Sequence, residues 1–189
     1  MNADLLVYQA KAFYNAYIAL DQLSRDDSDT LLLLFAPLVV NGAFSVELAL
    51  KAILAKNQIE YGKEHNLLIL FQMLPKSFQQ ELWAYLIEKA PEYAGSEKGL
   101  DELILLSNAF VDWRYAFEGK PVPAIESRFL AAFANAAVHT MFSYYNADLL
   151  PATKAESNTE IEQRFHENRE KCKEINLKMI QKKTKEHQL

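Results

Sequence analysis

The run LLLLFAPLVVNGAFSVELALKAIL, from Leu31 to Leu54, constrains the fold more than any other part of the chain. It is long enough to span a bilayer, yet it contains Pro37, Asn41, Glu47 and Lys51. Glu47 and Lys51 fall one helical turn apart among Val46, Leu48, Leu50, Ile53 and Leu54. Hydrocarbon penalises such groups, whereas a helix packed among other helices can hold them as a pair. The run is therefore predicted to be the core helix of a globular domain, and no membrane association is expected.

The remaining pattern is helical as well. The chain has 189 residues, half of them apolar, which suffices for one substantial core. Its five Gly and six Pro are few, and the apolar stretches are broken by polar residues at intervals of three or four, which favours helices over strands. A first helix is predicted from about Asp4, as N-cap, to about Leu23, with Leu5, Tyr8, Ala12, Ala16, Ala19 and Leu23 on its apolar face. The acidic turn SRDDSD ends it. The core helix then runs from Asp29 or Thr30 to about Lys56, with Pro37 as a kink or a first turn and Gly42 at a close helix crossing. Further helices are predicted over Asn66 to Leu74, Ser77 to Lys89, Leu100 to Phe117 and Ala124 to Asp148, with PEYAGSEKG as the clearest loop. The expected fold is all-α: an up-and-down bundle in residues 1–150, with an extra amphipathic helix in residues 151–189. In that tail Ile161, Phe165, Asn168, Cys172, Ile175 and Met179 form a stripe too short for a coiled coil alone. It is expected to pack on the body or on a second subunit.

Charge and cysteine content narrow the setting. The net charge is -5. Residues 151–189 hold nine Lys and Arg against seven Asp and Glu, leaving eleven against eighteen for residues 1–150. So acidic a body is a poor general surface for nucleic acid, and any RNA contact must be local. The single cysteine, Cys172, excludes an internal disulfide, and the N-terminus lacks the basic region of a signal peptide; both suit the cytoplasm.

The common enzyme templates fail. The four His form no HxxxH or HExxH pair, so neither a metal site nor a cofactor is expected. No GxxxxGK, GxGxxG or GxSxG segment occurs. What remains is a small set of charged groups in apolar surroundings. Arg114 lies between Trp113 and Tyr115 and one turn before Glu118. It is either a stem packed on Trp113 with an intrahelical ion pair, or a guanidinium held for phosphate or base contact. Asn108 and Asp112 are close enough on the helix to share a polar site with it. Glu47 and Lys51 are either a pair on a solvated strip or a buried pair in which the carboxylate orients Arg114 or serves as a base. His65 is a helix-start residue or a proton donor, and His139, among Ala136, Val138 and Met141, is expected to be a core histidine.

FSVELALKAIL from Phe44, then a short loop, then HNLL from His65 with Leu70 and Leu74 following, is similar to the second and third helices of HEPN domains. With the late Arg114 between aromatics, the resemblance extends from about Asp4 to about Asp148. It implies an all-helical bundle, usually a homodimer joined across the face bearing its polar site, associated with nucleotides, RNA and toxin–antitoxin or defence systems. Ribonuclease members of the family carry an Arg with a His about four to six residues downstream, which together cut RNA. Here Arg114 is followed by Tyr115, Ala116, Phe117, Glu118, Gly119 and Lys120, and Arg128, Arg164 and Arg169 have no His at that spacing either. The resemblance then implies a non-catalytic member binding a nucleotide or RNA through Arg114, Glu47, Lys51, Asn108 and Asp112, or a partner protein encoded in the same operon. One alternative is an atypical metal-independent ribonuclease using Arg114 with Glu118 or His65. Another is a purely structural interaction subunit.

Overall fold

The computed structural model describes residues 3–25, 28–94, 96–115, 118 and 122–145. The predicted tail helix and its stripe lie outside the described residues. All described elements are helical: α1 Ala3–Ser24, α2 Ser28–Lys56, α3 Leu67–Met73, α4 Lys76–Lys89, α5 Ser96–Leu106, α6 Ala109–Arg114 and α7 Ser127–Tyr145, with a 3-10 turn at Pro91–Tyr93.

Two helices form the centre because their sequences leave almost no polar face. In α7 the residues Phe129, Leu130, Phe133, Ala134, Ala136, Ala137 and Met141 are all buried. In α2 every residue from Ser45 to Leu54 is buried. Each large aliphatic side chain enclosed this way contributes about 1.5–3 kcal/mol. α1 packs along α2, α2 against α7 and α6, and α4 against the other side of α7. Gly42 lies at the crossing of the first two with α7: a Cβ there would meet Tyr17 Cδ2 at 3.0 Å and Leu130 at 3.1 Å. Pro37 sits inside α2, and the helix continues through it. Leu33, whose carbonyl loses the donor that proline lacks, is 79% exposed, so water is at hand for that group.

Several sequence expectations are corrected. α1 begins at Ala3, so Asp4 lies in its first turn and is not the cap. The face of α1 that packs is Leu6, Val7, Ala10 and Tyr17 with Phe13 and Tyr14, while Leu5, Tyr8 and Leu23 are exposed. Half of the expected stripe was alanine; the face with more apolar area is the one buried. Ser96 to Gly99, expected in a loop, form the first turn of α5. A Cβ on Gly99 would stand 2.8 Å from Trp83 Cζ2, so this glycine serves close packing and not a turn. The helix expected from Leu100 to Phe117 divides at Ser107 and Asn108. The Ser107 carbonyl accepts from Leu67 N at 2.8 Å, and the Ser107 hydroxyl donates to the Leu103 carbonyl. The carbonyl that would continue the ladder is thus spent on the start of α3. α7 begins at Ser127, three residues later than expected from Ala124.

Candidate functional site

The start of α3 sets the site. α2 closes in a Schellman arrangement: Ile59 N donates to Leu54 O and Gln58 N to Ala55 O, with Gln58 at φ 59. The chain then loops back over the buried face of α2. Asn66 caps α3 by accepting from Ile69 N at 3.0 Å. Glu64 accepts from the backbone N–H groups of Asn66 at 2.7 Å and His65 at 2.8 Å. The first of these bonds is the main reason its carboxyl is held below the ordinary glutamate value of 4.5, although slight burial opposes the shift. The loop is therefore fixed on both sides of His65.

His65 stands against α2. Its Nδ1 lies 2.9 Å from Glu47 Oε1, and Lys51 Nζ donates to the same oxygen at 2.7 Å. Glu47 is 1% exposed and Lys51 7%, so the pair is buried and the solvated-strip reading is overturned. Removing two charges from water is costly, and Oε1 offsets this by taking two donors; Glu47 Oε2 is buried without a hydrogen-bond partner among the described residues. Lys51 Nζ also lies 5.3 Å over the Tyr61 ring. Burial first, and the Glu47 charge second, push the Tyr61 hydroxyl above its usual pKa. A carboxylate can only accept, so the His65 Nδ1 carries the hydrogen, and in the neutral ring Nε2 keeps its lone pair. The side chain is 49% exposed, which makes His65 the link between buried carboxylate and solvent.

Arg114, on α6, is exposed and belongs to a different environment. Its guanidinium lies 4.9 Å over the Phe110 ring and 4.7 Å over Tyr115, and one Nη donates to the Tyr115 hydroxyl at 3.1 Å. Phe110 stacks on Phe44 at 4.3 Å, and its centroid is 6.5 Å from the His65 ring. Trp113 instead meets Phe35 edge-on at 5.1 Å. The expectation that Glu47 orients Arg114 is corrected: among the described residues the carboxylate bonds to Lys51 and His65, and Arg114 rests on aromatics. Phe110 is what the two clusters share.

Of the other predicted site residues, Asn108 Oδ1 accepts from Asn66 Nδ2 at 3.1 Å, tying α6 to the start of α3. Asp112 is partly buried on the same short helix, and Glu118 lies past its end, where its N–H donates to the Tyr115 carbonyl at 2.9 Å. His139 is exposed and stacked on Tyr85 at 3.9 Å, so it is not a core histidine. Sequence reasoning missed Tyr61, Glu64, Asn66 and Phe110. An Asn immediately before an apolar helical run is the capping signal that marks Asn66.

No curated protein and no solved structure gives a significant match to the chain. The family model of the HEPN domain matches residues 38–128, from the middle of α2 to the first turn of α7. That stretch contains Glu47, Lys51, His65, Asn108, Asp112, Arg114 and Glu118, so the candidate site lies within the part of the chain that is similar to a HEPN domain.

Proposed function

We propose that this HEPN-domain protein binds a nucleotide-type or RNA ligand at the surface shared by Arg114 and His65, without the Arg–His ribonuclease pair. The supporting observation is the exposed guanidinium laid over Phe110 and Tyr115, with the His65 ring beside the same phenyl group. Stacking occupies the faces of a guanidinium and leaves its edge N–H groups for phosphate oxygens. The exposed Tyr115 ring offers an aromatic surface against which an unstacked base can pack. The acidic composition of the body favours a short or single ligand over a long duplex. We place the protein in the cytoplasm as a homodimer, in a toxin–antitoxin or defence-type system with a partner encoded nearby. Titration calorimetry with nucleotides and short single-stranded RNAs tests the reading. Saturable binding weakened in Arg114→Ala supports it, and no saturable binding by the wild type sinks it.

A second reading, an atypical metal-independent ribonuclease, is favoured by the Glu47–His65 hydrogen bond. A carboxylate on Nδ1 fixes the ring tautomer and leaves the Nε2 lone pair, which suits a group that takes a 2′-hydroxyl proton while Arg114 steadies the phosphate. This requires purified protein to cut single-stranded RNA and His65→Ala to lose the activity. Intact RNA in both samples rejects it.

A further inference from the structure

The crease between α4 and α7 holds a cavity of about 330 Å³, and none of its lining residues belongs to the elements that carry Arg114, His65 or Glu47. We propose that it is a binding site for a small phosphate monoester. The volume is of the size that encloses one small molecule. Its floor is Ala131 and Ala132 of α7, whose side chains end at Cβ and leave room against α4.

Two cations stand on the rim. Lys89 is in the last turn of α4 and Arg128 in the first turn of α7. The helix macrodipole disfavours a cation at the N-terminal turn, so Arg128 occupies a position that local helix energetics do not select. Glu92 offsets part of this, meeting Arg128 Nε at 2.5 Å, and Lys89 pairs with the exposed Glu88 at 2.7 Å. The Lys89–Glu88 pair is solvated, and such pairs are weak and readily exchanged for a stronger anion. The planar guanidinium fork of Arg128 matches the geometry of phosphate oxygens.

The walls are held in place. Tyr85 has His139 stacked on it at 3.9 Å and Lys89 Nζ 5.1 Å from its centroid. Asn135 donates one N–H to the Tyr14 hydroxyl at 2.7 Å, which fixes the amide and leaves its carbonyl oxygen for a ligand hydroxyl. Two cations match a monoester, which carries about -1.5 to -2 charge at neutral pH, better than a carboxylate. The apolar floor suits its organic part and not a bare ion.

The experiment is calorimetric titration of the full-length protein with phenyl phosphate and ribose 5-phosphate, with inorganic phosphate and benzoate as comparisons. A monoester is expected to saturate and to bind more tightly than either comparison. Lys89→Ala with Arg128→Ala is expected to weaken it at least tenfold, roughly the effect of losing charge-assisted contacts. Ala131→Leu, which fills the floor and keeps both ion pairs, is expected to weaken it as well, while Arg114→Ala leaves it unchanged. Failure of the wild type to saturate below about 10 mM overturns the proposal. So does equal binding by the double variant and by Ala131→Leu, or loss of binding in Arg114→Ala, which would assign the ester to the α6 surface.

Discussion

Glu47 with Lys51 and the lone Arg114 both place charge beside aromatic rings, yet they are built in opposite ways. The pair is enclosed on α2 and turned inward, with one oxygen serving Lys51 and His65. Arg114 is exposed and supported from beneath by Phe110 and Tyr115. A buried charge is retained only while its partners stay, so the α2 cluster couples tightly to folding. An exposed guanidinium on an aromatic shelf contributes little to stability and, beyond its bond to the Tyr115 hydroxyl, can turn its donors to another molecule. The two regions therefore divide the labour: one positions, the other is placed to recognise.

Glu47→Ala should break this contrast most visibly, because it leaves the Lys51 ammonium buried and unpaired. A loss of about 3–5 kcal/mol in denaturant unfolding is expected. Glu47→Leu combined with Lys51→Met should recover most of that, since an apolar pair can replace a buried ionic one. If the double variant is as unstable as the single, the charges matter for something other than mutual compensation. Arg114→Ala should give the reverse profile: stability within about 0.5 kcal/mol of wild type, and ligand affinity reduced about tenfold. A large stability loss there would remove the distinction between the regions.

Gln58→Gly probes α2 just past the cluster. Gln58 has φ 59, a conformation that disfavours side chains, and glycine there should raise stability by up to about 1 kcal/mol. The smallest effect is expected from Glu64→Gln, read as pH dependence. The folded pKa of Glu64 is depressed, so its stabilisation is present above 4.5 and lost as pH falls through the lower folded value. The stability gap between wild type and Glu64→Gln should therefore shrink on acidification across that range. A constant gap would mean that the two loop N–H bonds do not hold His65 through charge.

Much of the fold was legible because burial leaves a strong periodic trace. The unbroken apolar run of α2, the Asn66–Pro75 segment and the crossing at Gly42 follow from patterning alone. The packing face of α1 did not, because its expected alanine stripe competed with a face richer in apolar area. Gly99 misled for a physical reason: a glycine required by a neighbouring indole looks the same in one dimension as a glycine required by a turn. The break after Leu106 depends on a hydrogen bond to Leu67, forty residues away in the chain, and no local signal reports it. The candidate residues could be named from composition, but not their partners. Spacing placed Lys51 beside Glu47; only the fold brings His65 to the same oxygen.

That shared oxygen has a thermodynamic consequence. Because Glu47 Oε1 serves the core through Lys51 and the surface through His65, occupancy at the surface and integrity of the core are linked quantities. A ligand that leaves the imidazole on Glu47 stabilises the fold without disturbing that carboxylate. One that draws the imidazole away removes a donor from a buried carboxylate, and that cost lowers its affinity and its stabilisation of the fold together. Comparing ligands of the two kinds reports from outside on a carboxylate that is almost wholly buried.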